Sequence, residues 1–211
     1  MIRKVSRLYG RFRDRRLLIV SCGPSFADVD LEPYRDWDIW CVNAAIVQVP
    51  EWVRRPSTFW VAGHIDAFLH QRNYQPFRQR LDQVYPKNWR VISYRAYHDD
   101  FENIRRRSSR FFGFKGKDFP GPQGCTFCRA LLIAVRCGYE RIIIAGADFK
   151  RTPGEPTIYA PPFDWRPASP DRMADHRRII HEFAARGLID GTVSLHPTTR
   201  WESPPFPIEK E

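Results

Sequence analysis

The chain has 211 residues, 43% of them hydrophobic and seven of them Trp, which fits one domain with a substantial core and excludes global disorder. Its longest apolar runs, such as residues 142–147, fall far short of the roughly 20 residues a membrane helix needs. No apolar segment or small-residue cleavage site follows the basic N-terminus, so neither a membrane span nor a secretory signal is expected. Lys and Arg total 34 against 24 for Asp and Glu, a balance of +10 that favours anionic partners without choosing among nucleotides, nucleic acid, anionic glycans and lipid headgroups.

Residues 1–16 read as a basic arm carrying Arg3, Lys4, Arg7, Arg11, Arg13, Arg15 and Arg16, able to rest on an anionic surface. The apolar run 16–21 (RLLIVS) is a strand, followed at once by Cys22-Gly23-Pro24-Ser25. Strand, glycine turn and helix form the opening of a Rossmann-type unit. Residues 38–42 (DIWCV) predict a second strand ending at Asn43, and residues 58–62 (TFWVA) a third ending near Gly63-His64-Ile65-Asp66. A helical stretch over 67–84 and a fourth strand at 90–93 (RVIS) come next. Residues 98–122, with Arg105-Arg106-Arg107 and Phe111-Phe112, show no clear period and read as a long loop. Thr126 is placed to cap a helix over 127–137 that Gly138 ends.

The run 141–145 (RIIIA) suits the centre of a parallel sheet, and Gly146-Ala147-Asp148 leave its carboxyl end. A Pro-rich loop over 152–170 leads to an amphipathic helix over 172–186, with Ile179, Ile180, Phe183 and Ala184 on its apolar face. Residues 193–195 form a last strand, and 203–211 are a Pro-rich tail. Strands alternating with helices predict an α/β fold: a single Rossmann-like domain over 17–202, with a mostly parallel, doubly wound sheet and helices on both faces. No internal repeat or further domain boundary is visible.

Ligands of such sheets sit beyond the carboxyl ends of the strands. Gly23, Pro24 and Ser25 fall there, where a glycine admits an anion close to the backbone and a following helix N-terminus offers N–H groups to phosphate. Asn43 can hydrogen-bond a base, a sugar or a phosphate, or simply satisfy its own turn. Asp148 can bind a ribose hydroxyl, hold a metal, orient a base, or cap the next turn; Gly146 beside it favours close approach of another group. His176, next to Asp175, reads as a general base or as a surface His of a basic helix, with His64, His98, His181 and His196 weaker candidates for the base. The spelling Asp36-Trp37-Asp38 precedes a strand and reads as a turn.

There are five cysteines and no export signal, so reduced thiols of a cytoplasmic chain are expected. Cys125 and Cys128 form a C-x-x-C pair without a thioredoxin context or a second ligand pair, and read as small apolar residues at a helix start. Neither a Gly-x-Ser-x-Gly motif nor a P-loop is present.

The stretches SCGPSFADVD, DIWCVN and CTFCRALLIAVRCGYERIIIAGADF, about a third of the chain, resemble bacterial sialyltransferases of glycosyltransferase family 42. They equally resemble archaeal 6-hydroxymethylpterin diphosphokinase-like proteins and flagellin-modifying motility accessory factors. The resemblance implies a CMP-sugar site with no metal: Gly23, Pro24 and Ser25 at the donor phosphate and sugar, Asn43 at the nucleotide, and Thr126 in place of a substrate-contacting Ser. Tyr159 matches one of two tyrosines that steady the departing phosphate, Lys150 stands where the other is expected, and Cys22 replaces a usual Asn. His176 lies a few positions from the family's catalytic His.

The expected reaction is direct displacement of a sialic acid-like or other CMP-activated acidic sugar by a glycan or other hydroxyl acceptor. Two other expectations stay open. One is an ATP- and Mg²⁺-dependent pterin phosphotransferase using Asp148, Asp66 and Asp164. The other is a non-catalytic nucleic-acid-binding protein using residues 105–110 and the basic arm.

Overall fold

Runs of β-branched and aromatic residues broken by turn residues become strands in the computed structural model, which describes residues 3–55, 57–63, 79–81, 83, 89–94, 108–115, 125–149 and 170–209. The strands are β1 (Arg3–Lys4), β2 (Arg16–Val20), β3 (Asp38–Val42), β4 (Phe59–Ala62), β5 (Trp89–Tyr94), β6 (Ser108–Phe114), β7 (Arg141–Ala145) and β8 (Val193–Leu195). They form one sheet in the order β1-β6-β5-β4-β3-β2-β7-β8, and every pairing is parallel. The protein is therefore an α/β protein with a Rossmann-like parallel sheet.

Alternation along each strand sends side chains to two faces. Leu17, Ile19, Trp40, Val42, Phe59, Val61, Ile142 and Ile144 face α2 (Thr126–Cys137) and α3 (Pro170–Ala185). Leu18, Val20, Ile39, Cys41, Trp60, Ala62 and Ile143 pack on the other face with Phe26, Leu31, Trp37 and the short α1 (Ala45–Gln48). Burial on both faces is why these strands read as unbroken apolar runs. Gly138 ends α2 in the left-handed region, φ +83°, where a glycine carries no Cβ penalty. α3 buries Ile179, Ile180 and Phe183, as its period predicts. Residues 79–81 are helical, inside the predicted stretch. No helix among the described residues is long and apolar enough to cross a membrane.

Strand order fixes where a ligand can enter. From β2 the chain steps outward through β3, β4, β5 and β6, then returns through α2 to β7 on the opposite side of β2. The carboxyl ends of the neighbouring strands β2 and β7, from which the strand order runs in opposite directions, are therefore the topological switch point of the sheet.

Four expectations change. The basic arm is part of the fold: β1 pairs with β6, and Val5, Leu8 and Phe12 are buried between the arginines. Part of the expected loop over 98–122 is β6, whose core residues Phe111, Phe112 and Phe114 were obscured by Arg110 and Gly113. The helix expected behind Gly-Pro-Ser is a single 3-10 turn, Pro24–Asp28. The Pro-rich tail is irregular but anchored: Ile208 bridges to Leu195 and Phe206 is buried.

Candidate functional site

At the switch point the exits of β2 and β7 are in backbone contact. Ser21 N–H donates to Ala145 O (2.8 Å) and Gly23 N–H to Gly146 O (2.6 Å). Only glycines allow this approach. A Cβ on Gly23 would lie 2.5 Å from Asp148 Oδ2, and one on Gly146 would lie 2.5 Å from Ser21 O, with Gly146 at φ +69°.

Asp148 is buried and its carboxylate accepts three hydrogen bonds: from Ser25 N–H (2.8 Å), Ser25 Oγ (2.5 Å) and Arg200 N–H (2.9 Å). It therefore ties together the loops after β2, β7 and β8. Ser25 is itself fully buried. The phosphate cradle expected at Gly23-Pro24-Ser25 is not formed by helix N–H groups. Pro24 has none, Ser25 N–H goes to Asp148, and Phe26 N–H goes to Gly23 O. The fold brings Gly23, Pro24, Ser25 and Asp148 together as a clasp that shapes the rim.

The open groups lie beside that clasp. Asn43 leaves β3 at φ +52°, with its N–H on Val61 O (2.9 Å) and its C=O accepting from Trp60 Nε1 (2.8 Å). Its half-buried carboxamide has no hydrogen-bond partner among the described residues. Gly63 leaves β4 so close to the start of α2 that a Cβ there would overlap Thr126 Oγ1. The helix start differs from the expected one: the N-cap is Cys125 rather than Thr126, and its side chain makes no capping hydrogen bond. A groove of about 510 Å³ runs between Phe26, Asp30 and Glu32 on one side and Gln48 and Trp52 on the other, next along the chain from Ser25 and Asn43.

His176 reaches the same rim from α3. Its ring meets Phe149 edge-on (6.3 Å between centroids), and Phe149 packs on Phe127 (5.4 Å) and Trp201 (5.0 Å). Phe149 holds a left-handed backbone, φ +46°, so two of the non-glycine residues in that region, Asn43 and Phe149, sit at strand exits of this edge. Asp175 pairs with Arg178 (3.6 Å) rather than orienting His176.

The His176 imidazole lies beside the Cys125 sulfur, and Cys128 Sγ lies 3.5 Å from Cys125 Sγ. The Cys125 thiol is pushed well down, first by the hydrogen bond from Cys128, then by His176 against the opposing effect of burial; the Cys128 thiol is pushed up. This cluster was not foreseen. The C-x-x-C spacing signalled it, but its third member lies 48 residues beyond Cys128 on another helix.

Lys150, Tyr159, His64, His98, Asp66, Asp164 and Arg105-Arg106-Arg107 lie outside the described residues. His181 is exposed against Trp201, and burial holds the His196 imidazole below its ordinary value. Among the described residues no group of three or more His, Cys, Asp or Glu side chains is arranged to hold a metal ion.

A separate feature occupies the amino end of the strands. Arg3, Arg7, Arg11, Arg90 and Arg110 line a cavity of about 300 Å³. Burial and the neighbouring Arg110 charge both press the Arg90 value down.

No family model matches this chain, and neither a curated protein nor a solved structure does.

Proposed function

We propose that the protein is a glycosyltransferase that takes a nucleotide-activated, acidic sugar, with CMP as its nucleotide, and passes the sugar to a hydroxyl acceptor. The observation that carries this reading is the convergence on one carboxyl edge of Asn43, the uncapped first turn of α2 with Thr126, and His176, around a clasp built by Ser25 and Asp148. Ligands of open parallel sheets bind at this position.

The groove beside Phe26 and Trp52 has the volume of a nucleoside pocket, an aromatic wall, and Asp30 and Glu32 to accept from sugar hydroxyls or a base amino group. The donor phosphate is assigned to the first turn of α2, where backbone N–H groups and the helix dipole favour an anion, with the Thr126 hydroxyl beside it. His176 is the base that takes the acceptor's proton. The Cys125 sulfur beside it is the third group that steadies such a base. Lys150 and Tyr159 complete the proposal by meeting the departing phosphate.

Thermal-shift measurements test it. CMP or CTP without metal is expected to raise the melting temperature, by an amount equivalent to about 2.7 kcal/mol at a hundredfold excess over Kd. His176→Ala is expected to abolish transfer and leave CMP affinity nearly intact. Stabilisation by ATP with Mg²⁺ alone would instead support a phosphotransferase. Salt-sensitive nucleic-acid binding with no nucleotide effect would end the enzymatic reading.

A further inference from the structure

Nucleophilic sulfur is unevenly distributed in this chain. Burial pushes the Cys41 and Cys137 thiols up, which makes them inert apolar residues. Cys125 differs in four ways. It is partly exposed, it is the N-cap of a twelve-residue helix, a second sulfur lies 3.5 Å away, and an imidazole from another helix lies beside it.

We propose that Cys125 and Cys128 form a redox-active dithiol that undergoes thiol–disulfide exchange with small-molecule disulfides, Cys125 being the attacking sulfur and Cys128 the resolving one. The division of roles follows from position. The Cys125 sulfur sits at the positive end of α2, where the helix dipole and the Cys128 N–H favour an anion. Cys128, one turn into the helix and only 1% exposed, can be reached by Cys125 and hardly by solvent. His176 stabilises the anion from the side, and the direction of both thiol shifts agrees with this assignment. Bonding requires the sulfurs to close by about 1.5 Å, within reach of side-chain rotation.

The exchange balances in two steps. The Cys125 thiolate attacks one sulfur of a disulfide RSSR, forming a mixed disulfide and releasing RS⁻. The Cys128 thiol then gives its proton to solvent or to the His176 imidazole, and its thiolate attacks Cys125 Sγ and expels the second RS⁻. The two released thiolates take up two protons. The net change is dithiol plus RSSR to protein disulfide plus two RSH, a two-electron oxidation of the protein and reduction of the reagent.

The chemistry does not rest on the transferase reading, and its test uses the full chain without nucleotide. Iodoacetamide labelling read by mass spectrometry is expected to modify Cys125 at least about tenfold faster than the other four cysteines at pH 7, with a pH profile displaced well below that of an ordinary thiol. Hydroxyethyl disulfide is expected to convert the chain to a form two mass units lighter, with Cys125 and Cys128 protected from labelling. Cys128→Ser is expected to stop at the mixed disulfide, one RS group heavier.

His176→Asn, with an unchanged circular dichroism spectrum, is expected to move the labelling profile to higher pH. An ordinary profile at Cys125, or failure of the internal disulfide to form, overturns the dithiol. An unmoved profile in His176→Asn overturns the part assigned to His176.

Discussion

Asp148 shows how one carboxylate can tie three loops together. It accepts from two backbone N–H groups and one hydroxyl, all within 2.9 Å, in a position 3% exposed. In Asp148→Asn one acceptor oxygen becomes an NH₂ group, so a donor faces at least one donor across the clasp. The expected loss is about 3 kcal/mol in urea unfolding, the cost of weakening charged hydrogen bonds and stranding a buried N–H. A stability within a few tenths of wild type would show that the clasp is not closed in solution. Gly23, Ser25, Gly146 and Asp148 were each legible as residues at strand exits. Their mutual contact was not, because Ser25 and Asp148 are 123 positions apart and no local pattern encodes a pairing across a sheet.

Elements were legible where their period was clean. β2, β3, β4, β7, α2 and α3 follow from apolar runs and helical spacing. β1 and β6 were not: β1 is the exposed pair Arg3-Lys4, which mimics a solvated arm, and in β6 Arg110 and Gly113 flank the buried phenylalanines and mimic a loop. The same arginines leave a mark on energetics. Arg90 of β5 and Arg110 of β6 are direct neighbours in the parallel register and line the same basic cavity. Like charges facing across strands are destabilising by a few tenths to about 1 kcal/mol. Arg110→Gln is therefore expected to stabilise the fold by about 0.5 kcal/mol in low salt, with the gain shrinking as salt screens the repulsion. A loss of stability of equal size at low and high salt would show that Arg110 acts by packing instead.

At the scale of the molecule, the sheet is finished at its β8 edge by the last described residues of the chain. Leu195 N–H donates to Pro207 O, Glu209 N–H donates to Leu195 O, and the Glu209 carboxylate accepts from Arg141 Nη2 (2.5 Å) and from Ser194 Oγ. The bond from Arg141, helped by a lesser one from Ser194, holds the Glu209 carboxyl below its ordinary value against the opposing effect of burial. A depressed folded-state value means that the carboxylate form is the one the fold favours. Its contribution is complete above the unfolded-state value and is lost as pH falls through the lower folded-state value.

The segment 206–209 is thus expected to release from β8 in acid before the central strands do, since β2 and β7 hold one another by backbone bonds and buried apolar contacts that do not titrate. Hydrogen exchange at the Leu195 amide reads this directly, with protection falling at acid pH while that at Ile144 persists. Glu209→Gln removes the titrating group, so it should weaken Leu195 protection at neutral pH and abolish its acid dependence. Acid sensitivity that survives in Glu209→Gln would place the titrating group elsewhere along the edge.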